Sequence, residues 1–218
     1  MKTILSVAVA TLLSACASGP AVPDWQMNAK GSLERAVSAY MAGNDRVEVQ
    51  EFAKARAEMA STGQIALVAR VELTRCASRV ASLTLDDCAG FERLRDDAPA
   101  AERAYADYLA GHAQPQDVKL LPVQHQAVAS ASADSVGTAL ANIDDPFARL
   151  VAAGVLLRAG RANPAVLTLA ADTASAQGWR RPLLAWLGVQ ALRAEQAGDT
   201  VEAQRLRRRM DLVQESKR

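Results

Sequence analysis

Proline and glycine divide the last third of the chain at a regular spacing. Pro146, Pro164 and Pro182 are 18 residues apart, and Gly160 and Gly178 repeat at the same interval. Proline favours the first turn of a helix, and glycine favours the position just after its end. Between these marks, apolar residues recur at helical spacing. The pattern predicts successive helices with tight connections, which favour antiparallel packing of neighbours.

The same signals predict where individual helices begin and end. In the last third, the expected starts are Asp144-Asp145-Pro146, Asn163-Pro164, Pro182 and Asp199-Thr200, and the expected ends are Gly160, Gly178 and Gly198. In the first half, helices are expected to stop at Gly43, near Gly63 and at Gly111, and one helix is expected over residues 65–83. The interval 112–122 shows the weakest helical pattern.

Composition supports helix-on-helix packing. Apolar residues make up 50% of the chain and aromatic residues only 4%, with alanine the commonest type. Alanine favours helices and allows their close approach, and no convincing alternating strand pattern follows residue 24. The predicted fold is all-α, an antiparallel helical hairpin array of about nine or ten helices.

One hairpin resembles a tetratricopeptide repeat. Two successive intervals make a unit of about 36 residues, close to the 34-residue period of that family. The consensus aromatic residue of the second helix is missing, and Arg207 stands near its place. The resemblance implies a tetratricopeptide-like α-solenoid. It is carried by Leu187, Ala191, Ala194, Gly198, Ala203 and Leu206.

The first residues have the form of an export signal. Met1-Lys2 supplies a positive charge, residues 4–13 are uncharged and mostly apolar, and small residues precede Cys16. The run is too short to span a bilayer, which takes about 20 apolar residues. An ordinary secretory signal with a chance cysteine is one interpretation of this segment.

Leu13-Ser14-Ala15-Cys16 resembles the lipobox of bacterial prolipoproteins. The resemblance implies that the Cys16 thiol carries a diacylglycerol, that the signal is cut before it, and that the new amino terminus is acylated. Ala17 follows the cysteine where aspartate would stand in lipoproteins held at the inner membrane. The implied location is the outer membrane, on its periplasmic side, with the membrane bound through the N-terminal lipid.

These signals divide the chain into five parts. Residues 1–15 are the predicted signal peptide, 16–24 the lipidated cysteine and its tether, and 25–111 an N-terminal helical half. Residues 112–122 form the predicted linker, and 123–218 the C-terminal helical hairpins. Cleavage removes Lys2 and no acid, which leaves 24 basic and 24 acidic side chains. This balance does not favour nucleic-acid binding.

Cys76 and Cys88 are the two remaining cysteines. Export to an oxidising compartment predicts a disulfide between them. A metal site would need further ligands, and neither histidine lies near these cysteines in sequence. Their spacing also differs from that of a Cys-x-x-Cys redox pair. No metal or cofactor is predicted.

Reaction motifs are missing from the chain. His112 and His125 are the only histidines. His112 follows a helix-stopping glycine, where a cation or capping role is adequate, and His125 has no acid or nucleophile patterned around it. The acidic pairs Asp86-Asp87, Asp96-Asp97 and Asp144-Asp145 would suit an enzyme acting on cell-wall material. Each pair, however, stands at an expected helix edge, where aspartate caps free N–H groups or is simply solvated. The prediction is that the chain is not an enzyme.

Two clusters have the composition of binding surfaces. Trp179, Arg180 and Arg181, followed by Trp186, combine the residue types enriched where partners are gripped, although Trp186 falls on an apolar helix face. Residues 205–209 hold four arginines that suit either anionic groups or a solvated helix face. The predicted function is a lipid-anchored, non-enzymatic scaffold for an envelope protein. The alternatives are a cell-wall enzyme using an acidic pair and a helical protein that binds a small ligand or lipid.

Overall fold

The computed structural model describes residues 22–215, which form an all-α array. Eleven α-helices and two 3-10 helices occur in this range, and it contains no β-strand. The predicted all-α fold class is therefore confirmed. The α-helices are α1 (Asp24–Ala42), α2 (Asp45–Ala60), α3 (Ile65–Ala81), α4 (Ala89–Glu92), α5 (Ala100–Leu109), α6 (Val123–Ser130), α7 (Val136–Ala141), α8 (Pro146–Arg158), α9 (Pro164–Ala176), α10 (Arg180–Gln196) and α11 (Thr200–Glu215). The 3-10 helices are Arg95–Asp97 and Pro115–Leu120.

The helix starts and stops of the last third follow local capping chemistry. The Asp145 carboxylate accepts the Ala148 N–H at 2.6 Å, and the Asn163 side chain accepts the Val166 N–H at 3.0 Å. Each side chain satisfies a first-turn donor that has no acceptor within its own helix. Gly160 ends α8 with a φ of +70°, a conformation that favours glycine. These boundaries confirm the prediction from proline and glycine spacing.

Two details differ from the sequence pattern. Helix α10 begins at Arg180, so Pro182 is its third residue and not its first. A first-turn N–H has no intrahelical acceptor, and proline at this depth therefore breaks no backbone bond. The helices also outnumber the nine or ten expected. The short helices α4 and α7 explain the excess, because no proline–glycine pair marks their limits.

Four helices form the centre of the array. Helix α3 packs against α8, and α1 packs against both α3 and α10. Helix α2 covers α1 and α3, α9 covers α8 and α10, and α11 covers α10. The contact between α1 and α10 joins parts of the chain that hairpin order does not bring together. Within this central group, α1 comes first in the sequence and α10 last, and the two lie side by side.

One hydrophobic core runs through both halves of the described chain. It contains Tyr40 from α1, Leu121 from the predicted linker and Leu206 from α11. The 3-10 helix Pro115–Leu120 lies within that predicted linker, and Leu121 just after it is buried. Within residues 22–215, no helix combines the length and the apolar character needed to cross a bilayer.

Candidate functional site

The first predicted cluster lies where α10 meets the end of α1. The Arg181 guanidinium stacks over the Tyr40 ring at 4.2 Å and donates from Nε to the Tyr40 carbonyl at 2.7 Å. It also forms an ion pair with Asp45. Arg180 donates to the Ala42 carbonyl at 3.1 Å. Both arginines thus satisfy carbonyls in the last turn of α1, an arrangement that also complements the helix dipole.

The tryptophans beside these arginines pack inward. Trp179 is half-buried against the core, whereas Trp186 is fully buried and donates from Nε1 to the Ala81 carbonyl at 3.0 Å. Arg180 and Arg181 line a cavity of about 500 Å³ with Gly43. The cluster therefore joins α10 to α1 and α3. Its role in binding a partner stays a prediction.

Cys76 and Cys88 lie at disulfide distance. Their Cα atoms are 5.6 Å apart, within the range that a disulfide spans. Cys76 is on α3, and Cys88 immediately precedes α4. The pair therefore attaches the segment that contains buried Phe91 to α3. Cys16, the predicted lipidation site, lies outside the described residues.

The acidic pairs occupy separate places on the surface. Asp145 caps α8, as described above, and Asp144 beside it is exposed. Asp86 lies 3.8 Å from an Arg79 nitrogen, and Asp87 lies 4.0 Å from an Arg158 nitrogen. Asp96 and Asp97 are exposed in the 3-10 helix Arg95–Asp97. Among residues 22–215, no three histidine, cysteine, aspartate or glutamate side chains are grouped to hold a metal ion.

Buried glutamates join the first helices to one another. Glu48 and Glu51 on α2, Glu72 on α3 and Glu102 on α5 are all buried. Each accepts a hydrogen bond of 2.7 or 2.8 Å from an arginine on a neighbouring helix. Charge-assisted bonds of this kind are stronger than neutral ones and hold the two helices in register. The donors are Arg75 for Glu48, Arg35 for Glu51, Arg56 for Glu72 and Arg70 for Glu102.

Glu102 differs from the other three because one of its oxygens is buried without a hydrogen-bond partner. Oε1 accepts from Arg70 Nε at 2.7 Å. Oε2 is buried, and it is the one buried side-chain polar atom in residues 22–215 without a hydrogen bond. A buried acceptor without a donor typically costs about 1–3 kcal/mol. An exception of this kind calls for an explanation, such as a bound ligand or water.

Glu102 lines a groove between α3, α5 and the segment after the 3-10 helix Pro115–Leu120. This α3–α5 groove has a volume of about 410 Å³. Apolar side chains form most of its wall, and Arg70, Thr74, Glu102 and Tyr105 supply its polar groups. Its lining comprises Arg70, Leu73, Thr74, Ala101, Glu102, Tyr105, Leu120, Leu121 and Pro122.

An aromatic cluster supports one wall of the α3–α5 groove. His125 is 1% exposed, its ring stacks on Tyr105 at 5.7 Å, and its Nδ1 lies 3.4 Å from the Tyr108 hydroxyl. Burial lowers the pKa of His125 to about 4, although the negative charge of Asp145 raises it slightly. Burial also raises the pKa of both tyrosines. The imidazole and the phenols are therefore neutral near pH 7, which suits a packed wall better than proton transfer.

Glu102 was not among the residues selected from the sequence. A signal was present, because Glu102 stands three residues before Tyr105 and so shares its face. A charged residue on an otherwise buried face indicates either an ion pair or a binding site. The pairing of Glu102 with Arg70 could not be predicted from the sequence, because 32 residues separate the two. Comparison of the chain with protein-family models, curated proteins and solved structures finds no match.

Proposed function

We propose that this chain is a lipoprotein of the outer membrane, facing the periplasm, that acts as a non-enzymatic scaffold and binds an envelope protein in the α3–α5 groove. The resemblance of Leu13-Ser14-Ala15-Cys16 to a lipobox supports the anchor. The helical array supports the scaffold, because stacked helices present grooves between neighbours.

The observation that carries the proposal is the exposed apolar rim of the groove. Val123 is 80% exposed and Leu120 is 41% exposed, although both side chains are apolar. Leu120 also lines the groove, and Val123 follows its last lining residue, Pro122. An apolar rim beside a concavity with an unsatisfied polar atom has the composition of a binding site. A protein partner would cover the rim and the concavity together.

The anchor limits where binding takes place. Seven residues separate Cys16 from Asp24, where α1 begins. Fully extended, such a tether reaches at most about 25 Å. The helical array would therefore work close to the membrane, and two or three acyl chains hold a protein there stably.

In-cell photocrosslinking tests the scaffold. A photoreactive amino acid at position 123 should trap a discrete partner, whereas one at exposed position 177, just after the end of α9 and outside the groove, should not. Ala101→Trp should abolish the trapped species by filling the groove. The matched variant Ala100→Trp, equally exposed but outside the lining, should leave it unchanged. Equal trapping at both positions, or trapping indifferent to Ala101→Trp, would refute binding in the groove.

Fractionation tests the anchor separately. Cys16→Ser should release the protein from membranes or leave its precursor uncleaved, because the serine hydroxyl does not accept the lipid. Membrane sedimentation and intact mass measure the two outcomes. If neither changes, the lipoprotein proposal fails, while the groove proposal stands on its own test.

The volume of the groove supports a second candidate, a small-ligand carrier. Small-molecule sites commonly measure about 300–1,000 Å³, and the groove falls within that range. Native mass spectrometry of the protein purified from its own cells would then show a bound compound. Ala101→Trp should displace that compound, and Ala100→Trp should retain it.

A further inference from the structure

We propose that the α3–α5 groove receives a lysine side chain of the partner protein, whose ammonium group donates a hydrogen bond to Oε2 of Glu102. The inference rests on the proposed scaffold function and specifies the chemistry of the partner. It follows from three features of the groove: a carboxylate with one unpaired oxygen, an apolar wall and an exposed arginine beside the carboxylate.

The carboxylate supplies the charge complementarity. Glu102 is 5% exposed, and its bond to Arg70 uses Oε1 alone. Oε2 has no donor among the described residues, so it is free to accept a hydrogen bond from a cation. Donation from an ammonium group would turn an unsatisfied buried acceptor into a charge-assisted hydrogen bond.

The geometry favours lysine over arginine. Arginine binds a carboxylate best with two parallel N–H groups, one to each oxygen. Arg70 already occupies Oε1, which excludes that arrangement for a second guanidinium. An ammonium group is a compact charge that needs a single acceptor. One free oxygen is what Glu102 offers.

The walls suit the stem of the same side chain. Leu73, Leu121 and Pro122 line the groove around the polar centre, and the Tyr105 ring forms another side. Lysine places its four methylene groups along apolar surface while its charged end reaches a polar partner. At the rim of the groove, exposed Val123 and Leu120 would contact the residues on either side of the lysine. A free amine has no flanking residues to cover this rim, and we therefore assign the lysine to a protein.

Access to Oε2 requires the lining of the groove to open. Oε2 is closed to solvent in this conformation. Among the polar groups of the lining, the Arg70 side chain is 65% exposed and forms its ion pair with Glu102 alone. The ammonium group would enter beside this side chain, which keeps its bond to Oε1.

Matched peptides test the inference on the mature chain carrying Cys16→Ser, which keeps it in solution. The probe is the capped peptide Ac-Ala-Leu-Lys-Leu-Ala-NH2, and its control has norleucine in place of lysine. Amide chemical shifts measured by NMR should map the lysine peptide to α3 and α5. Its affinity should exceed that of the control by about tenfold, the ratio expected for one charge-assisted hydrogen bond. Equal affinities, or no binding of either peptide at millimolar concentration, would overturn the inference.

Two variants distinguish binding from a structural role. Glu102→Gln keeps the shape but removes the charge, and it should abolish the preference for lysine. Arg70→Gln breaks the same ion pair but leaves the carboxylate, and it should preserve or increase that preference. If Glu102 served only to hold Arg70, both variants would act alike. That result would refute the lysine site while leaving the crosslinking test at position 123 to decide the scaffold function.

Discussion

Gly154 on α8 lies directly against the backbone of Val80 on α3. A Cβ added at Gly154 would overlap the Val80 carbonyl oxygen and lie 2.9 Å from its carbonyl carbon. Backbone cannot move aside as a flexible side chain can, so this contact sets the distance between the two helices. Since α3 and α8 are both central helices, the packing of the array depends on a residue without a side chain at this position.

Gly154→Ala should therefore destabilise the protein by about 2–3 kcal/mol through overpacking. Gly188 on α10 provides a matched control, because its added Cβ would meet only the Met210 methyl carbon at 3.9 Å. Gly188→Ala should be neutral or stabilise by up to about 1 kcal/mol, as alanine favours helices. Urea denaturation followed by circular dichroism measures both. Similar midpoints for the two variants would contradict the close contact.

The hydrogen bond from Trp186 to Ala81 joins α10 to the end of α3. Trp186→Phe would keep an aromatic ring but leave a buried carbonyl unsatisfied, which should cost about 1–3 kcal/mol. Trp25→Phe serves as control, because Trp25 is only half-buried near the start of α1 and should have a much smaller effect. Thermal denaturation of both variants measures the difference. A larger loss from Trp25→Phe would count against the assigned bond.

The cysteine pair should stabilise the fold by restricting the unfolded chain. Cys76 and Cys88 are 12 residues apart, and closing a loop of this size contributes about 3 kcal/mol. The double variant Cys76→Ala, Cys88→Ala should lose about this much, and reduction of the unsubstituted protein should have the same effect. Thiol labelling under denaturing, non-reducing conditions checks the bond directly. Labelling of both residues in the unreduced protein would show that no disulfide forms.

Buried His125 should make the protein sensitive to acid. Its pKa is about 4 in the folded chain, below the ordinary value of 6.5. Protons therefore bind the unfolded state more tightly, and the stability present above pH 6.5 should decline as pH falls toward 4. The expected loss from this group is about 3 kcal/mol. His125→Phe should flatten the decline over this interval, as measured by urea midpoints. An unchanged profile would mean that His125 is not the titrating group.

Arg181 should matter more to folding than Arg180. Arg181 makes a backbone hydrogen bond, a ring contact and an ion pair, whereas Arg180 makes one backbone hydrogen bond. Arg181→Met should cost about 1–2 kcal/mol, and Arg180→Met about half of that or less. Thermal denaturation gives the ranking. If Arg180→Met were the more damaging change, the joint between α1 and α10 would be assigned incorrectly.

Local chemistry explains which parts of the fold could be predicted. Asp145 and Asn163 cap their helices through atoms three residues away, and Gly160 ends α8 through its own backbone angle. Interactions between residues so close in the chain can be predicted from a single sequence. The start of α10 was misplaced by two residues, because proline is tolerated throughout the first turn and marks it only approximately.

The candidate site was less predictable. Glu102 became informative only when one of its oxygens was found buried without a partner. Arg180 and Arg181 matched the composition of a binding surface, yet the structure places them on carbonyls of α1, more than 130 residues earlier. Composition does not distinguish a guanidinium that awaits a partner from one already bonded within the chain.

The amino-acid sequence by itself determined that this protein is helical and where most of its helices begin and end, because caps, prolines and glycines act within a single turn. Only the tertiary structure decided which helices meet. Gly154 against Val80, Trp186 against Ala81 and Arg70 against Glu102 are contacts between residues 74, 105 and 32 positions apart. Such contacts depend on how every intervening helix packs, and so the groove beside Glu102 exists only in the folded chain.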